Sequence, residues 1–131
     1  ERERMALSGK EVLAALNAQS KVNTCVYNST SIKRYYHTAN MLHQQAVVYI
    51  SEHDHERAYV QLKKFALLYL HVIAAHNSFN LKTYQSERFK FKRMCSEALT
   101  QIDNLKSTIV SKYDRIKAQE AQQQQQQQQQ Q

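Results

Sequence analysis

An all-α fold, an antiparallel helical bundle, is predicted by three features of the sequence. The 131 residues contain one glycine and no proline, so the residues that build tight hairpins and phosphate loops are all but missing, which disfavours sandwiches, barrels and dinucleotide folds. Alanine, leucine, lysine and glutamine, all good helix formers, are abundant. Apolar residues recur at steps of three and four in successive segments, the periodicity of a helix with one buried face. The length allows one domain.

Ser8-Gly9-Lys10-Glu11 has the form of a capping box, in which the serine hydroxyl and the glutamate each satisfy a backbone N–H left open at a helix start. Leu7 and Val12 stand at the staple positions. A first helix is therefore expected over 9–19, burying Val12, Leu13 and Leu16. From Ser20 to Ser31 the asparagines, serines and threonines compete for backbone hydrogen bonds, which predicts a loop ending in an N-cap. A second helix follows over 32–52, with Ile32, Tyr35, Ala39, Leu42, Ala46 and Tyr49 on its stripe and Tyr36 and Ile50 widening it. His53-Asp54-His55 breaks it, and Asp54 caps a third helix expected over 55–76, striped by Ala58, Leu62, Phe65, Tyr69 and Val72. Two helices joined by so short a break are expected to be antiparallel neighbours. The fourth, over 83–118, carries Phe91, Cys95, Ala98, Ile102, Leu105, Ile109, Tyr113 and Ile116. It is far longer than its partners, so its C-terminal half is expected to project or to find a partner. The expected organisation is an N-terminal flank at 1–7, a helical domain at 8–118 and a glutamine-rich tail or linker at 119–131.

Chemical motifs are sparse. No GxSxG, HExxH or P-loop pattern occurs, and His53-x-His55 lacks supporting carboxylates at a recognisable spacing. Neither catalysis nor a metal site is expected in this segment. Cys25 and Cys95 stand far apart with no ligand spacing, which suits reduced thiols. No apolar run is long enough to span a membrane and no signal peptide opens the chain, so a cytoplasmic location is expected. The absence of an initial Met and the run Gln122 to Gln131 suggest a piece of a longer protein. The net charge is +7. Between Lys82 and Lys117 nine basic residues face four acidic ones, a surplus that suits an acidic peptide or an anionic membrane, whereas nucleic acid is not expected without a groove-reading motif. Within Arg88-Phe89-Lys90-Phe91-Lys92-Arg93, the simplest reading buries the phenylalanines and leaves the cations solvated.

Several blocks carry a family resemblance: Ile32-Lys33-Arg34-Tyr35-Tyr36 with Ala46 and Tyr49, then Glu56-Arg57-Ala58-Tyr59-Val60 with Lys64-Phe65 and Tyr69. In this order and spacing, from about Lys10 to Lys117, the chain resembles the N-terminal MIT-like domain of the AMSH family of endosomal deubiquitinases. The same domain opens ubiquitin-specific protease eight as a dimerisation domain. The sequence departs from the family in lacking proline before the second helix and in its glutamine tract. The resemblance implies an MIT-like three-helix core with a short extra N-terminal helix, and a parent that is a JAMM-type zinc isopeptidase with its zinc outside this segment. It also implies a targeting module that docks ESCRT-III C-terminal helices at endosomes, in a groove between the third and fourth helices. Lys64 lies nearest the family pattern for that groove; Leu68, Lys90, Arg93 and Met94 join it from helical phase and charge. The alternatives are a homodimerisation module of a ubiquitin-specific thiol protease, whose fourth helix pairs with its copy, and a generic basic helical adaptor for anionic surfaces, peripheral endosomal membrane among them.

Overall fold

A computed structural model describes residues 6–130; residues 1–5 of the expected flank and Gln131 of the tail lie outside the described residues. All regular elements among the described residues are helical: α1 (Gly9–Gln19), α2 (Ile32–Ser51), α3 (His55–Leu68), a π-turn (Tyr69–Ile73), a short 3-10 turn (Lys82–Tyr84) and α4 (Gln85–Gln130).

The helix starts are set by the capping residues. The Ser8 hydroxyl accepts from the Glu11 N–H at 3.2 Å while the Glu11 carboxylate accepts from the Ser8 N–H at 2.9 Å. The Ser8 N–H donated to the carboxylate, with a smaller contribution from the Ser8 side chain, holds the Glu11 carboxyl below its ordinary pKa, because hydrogen bonding favours the charged form. Ser31 caps α2 through the Lys33 N–H, and Asp54 caps α3 through the Arg57 N–H.

α2 packs along α3, α3 along α4, and α1 against both α4 and α3. The middle helix is accordingly buried nearly all round: Ala58, Tyr59, Val60, Leu62, Phe65, Ala66 and Leu68 are all covered. Ala39, Ala46 and Ala58 have no exposed surface, so small side chains let α2 and α3 approach closely. Phe65 is the centre of the core, with the His43 ring at 5.1 Å and the Phe91 ring at 6.3 Å; Tyr36 meets Phe91 at 4.8 Å.

Two expectations are corrected here, the ends of the third and fourth helices. The third helix does not run to residue 76. It widens into the π-turn, where the Ala74 N–H reaches the Tyr69 carbonyl five residues back. The extra residue per turn puts Tyr69, Val72 and Ile73 together in the core. Buried His76 then ties this end shut: its Nδ1 accepts from the Ser78 N–H at 3.0 Å, so its Nε2 carries the proton and donates to the Thr30 carbonyl at 2.8 Å. On α2 both tyrosines of the stripe meet the core, Tyr36 buried and Tyr35 at the rim. Finally, α4 does not stop near 118 but continues to Gln130, 46 residues in all, about 70 Å at the rise of an α-helix. Glutamine is a good helix former and nothing after Tyr84 breaks the helix, although its last turns bury no apolar face.

Burial without a partner marks Tyr36. Its hydroxyl has no hydrogen-bond partner, and desolvation, with smaller repulsion from Tyr69, pushes its pKa up to about 12. An unfolded tyrosine ionises near 10. Stability from this group is therefore complete below about pH 10 and lost as pH rises toward 12. Denaturant unfolding at about pH 11 is expected to show a loss of stability of which Tyr36 supplies on the order of 1 kcal/mol, a share that Tyr36→Phe removes while the buried Tyr59 and Tyr69 keep theirs; an unchanged pH dependence in that variant would contradict it.

Candidate functional site

The groove foreseen between the third and fourth helices is filled by the chain itself. α1 lies in it, with Val12 and Leu16 buried and Leu13 packed against the core. At its start, the Gly9 N–H donates to Asp114 Oδ1 of α4 at 2.8 Å. At its end, Asn17 Oδ1 accepts from the Tyr59 hydroxyl and from Lys63 Nζ of α3, both at 2.6 Å. Gly9 makes the approach possible. A Cβ built there would stand 2.6 Å from both the Cα and the carbonyl oxygen of Val110, so backbone meets backbone and the only glycine in the chain is the one that fits.

This placement separates the five expected docking residues. Leu68 is only 7% exposed and belongs to the core, a correction that follows from α3 being enclosed by three helices, which leaves it no free apolar face. Lys64 lies in a cleft with Leu16, Tyr49, Asp54 and Arg57, where α1 meets the α2–α3 turn. Lys90, Arg93 and Met94 come together elsewhere, in a shallow cleft on α4 completed by Phe89 and Glu97. His43 of α2 is close to that cleft. Burial pushes its pKa down, with Glu97 opposing and Lys90 reinforcing the effect. Arg93 and Glu97 approach to 3.5 Å, but both are well exposed, so the pair holds little energy.

Phe89 is the residue that sequence reasoning misses. It is 67% exposed while Phe91 is buried. Two residues on a helix that are two apart point to nearly opposite sides, so both phenylalanines cannot face the core. The alternation itself carried that signal. His53 and His55 have rings 6.4 Å apart, and among the described residues no three His, Cys, Asp or Glu side chains are grouped to hold a metal ion. Burial pushes the Cys95 thiol up from its ordinary value, away from the reactive thiolate. No helix among the described residues is long and apolar enough to cross a membrane.

The described residues form a helical bundle with its own first helix laid across the last two. The model of one family, the USP8 dimerisation domain, matches residues 6–116. The chain belongs to that family. It is also 34% identical over 87 residues, 66% of its length, to a protein of Dictyostelium discoideum called probable ubiquitin thioesterase DG1039. The chain spans 12% of that relative's length. No solved structure gave a significant match.

These findings correct the expected parent. A JAMM-type zinc isopeptidase, with zinc in its catalytic domain, is what the AMSH resemblance implies. The family is instead that of the USP8 dimerisation domain, and the relative is called a probable ubiquitin thioesterase, so neither the zinc isopeptidase nor its zinc is carried forward.

Proposed function

We propose that residues 8–118 are the homodimerisation module of a ubiquitin-specific thiol protease, with 119–131 as an extension leading away from it. The observation that carries this reading is the family match over residues 6–116. Its geometry is an MIT-like core of α2, α3 and α4 with α1 as the short extra helix. The pairing surface is the part of α4 that outruns the bundle. α1 covers α4 as far as Asp114, and beyond it Ile116 continues the seam at 36% exposure, an apolar position that a second copy's α4 would cover. The role of the module is to bring two catalytic domains, lying outside this chain, to one place on a ubiquitinated target.

Sedimentation equilibrium of the chain tests this. A mass of twice 15.4 kDa is expected, and Ile116→Asp should shift it toward one chain while leaving the helical circular dichroism intact. A single-chain mass at every concentration would reject the reading.

One observation favours a second role beside the first. Exposed Phe89 stands beside Met94 with Lys90 and Arg93 at the rim, the makings of a small acceptor for an acidic amphipathic helix. ESCRT-III tail helices have that chemistry, and docking them would place the protein at endosomes. Lys64 and Leu68 take no part in this version.

A further inference from the structure

The charge of this chain is unevenly placed. Segments 20–37 and 69–93 together hold eight basic residues and one acidic residue, Glu87. They account for the whole net charge of +7, and the remainder of the chain is balanced at ten of each sign. The fold brings these two segments to one end of the bundle. His76 bonds to the Thr30 carbonyl, the Asn77 N–H donates to Asn28 Oδ1 at 3.0 Å, and the Tyr35 ring meets that of His76 at 5.8 Å. Arg88 holds the start of α4 to the preceding loop, donating to the Phe79 and Leu81 carbonyls at 2.6 and 2.7 Å. The one carboxylate present is partly withdrawn, since Glu87 Oε2 is buried without a partner. Lys33, Arg34, Lys82, Lys90 and Lys92 are all exposed, and no ion pair among the described residues engages them.

The same end also exposes large apolar side chains. Leu81 is 52% and Phe89 67% exposed, each next to a lysine in sequence. From these observations we infer that the end of the bundle where α2 and α4 begin docks onto an anionic membrane surface. Lysines there meet lipid headgroups while Leu81 and Phe89 enter the boundary between headgroups and acyl chains. A cationic face alone would suit any polyanion. Apolar tips set among the cations have nothing to gain from nucleic acid phosphates, but they do gain from an interface that is charged outside and apolar just beneath. The opposite end, at the α2–α3 turn, offers no such surplus, since Asp54 and Glu56 there are paired with Arg57 and Lys112, so the charge asymmetry also orients the molecule. The inference is independent of dimerisation, since it uses neither α1 nor the C-terminal part of α4.

The test is flotation of the chain with phosphatidylcholine vesicles, with and without phosphatidylserine, at physiological salt. The sequence has no tryptophan, so Phe89→Trp places a single indole reporter at the contact. Binding only to the phosphatidylserine vesicles is expected, with a blue shift of the indole emission. Each lysine near such a surface is worth about fivefold in partitioning, so Lys90→Ala with Lys92→Ala should lower it about 25-fold. All these positions are exposed, and circular dichroism of the variants should match the parent. Failure to float with phosphatidylserine vesicles, equal binding to neutral vesicles, or binding of the Phe89→Trp variant without a change in its emission would overturn the inference. So would capture of an ESCRT-III tail peptide or duplex DNA by a chain that ignores the vesicles.

Discussion

Replacing Phe65 with alanine is expected to cost about 3–5 kcal/mol, the range for a buried aromatic truncated to a cavity. Phe65 has no exposed surface and stands between the His43 and Phe91 rings, so its removal opens a void where α2, α3 and α4 meet. Dense interiors relax only partly around such a void. Chemical denaturation would measure the loss. A second readout distinguishes a local cavity from general weakening: burial now lowers the His43 pKa, and water entering the space beside that ring would let it rise toward the ordinary histidine value. Unchanged stability would show that Phe65 is not the centre of the core.

Gly9→Ala is expected to destabilise the chain by about 1–3 kcal/mol, as overpacking does, and the sign is the point. In a solvent-exposed helix the same substitution is favourable by about 0.5–1 kcal/mol. Here the added methyl would meet the Val110 backbone at 2.6 Å, and trimming the Val110 side chain cannot relieve a clash with its Cα and carbonyl. α1 must then lift from the α3–α4 groove. Hydrogen exchange should show α1 losing protection while α2, α3 and the first half of α4 keep theirs. A stabilised Gly9→Ala would mean that α1 does not pack where it is described. Because the lifted helix would uncover Val12 and Leu16, the variant should also be more prone to self-association.

Phe65 and Gly9 differ in how far the sequence reveals them. Phe65 is legible as core because its stripe, Ala58, Leu62, Phe65, Tyr69 and Val72, repeats at helical steps, and every one of those positions is buried. Gly9 is legible only as part of a capping box. Its second role depends on Val110, a residue 101 positions away that no local pattern connects to it.

By itself the sequence determined the helix starts, their caps and most inward positions of the core, since these rest on local chemistry: side-chain oxygens that satisfy nearby N–H groups, and apolar spacing that matches the helical period. It also determined family membership in outline, through the tyrosine and alanine blocks of α2 and α3. The identity of the parent was beyond it: the AMSH resemblance it suggested gave way to the USP8 dimerisation-domain family. Only the tertiary structure decided which surfaces stay open. A stripe fixes which way a helix faces its nearest neighbour but not how many neighbours it has. α3 has three, which buried Leu68 and closed the expected groove with α1. The gathering of the net positive charge at one end was likewise decided by the fold, because segments 20–37 and 69–93 are distant in sequence and are joined by the contacts of His76 with Thr30 and Tyr35 and of Asn77 with Asn28.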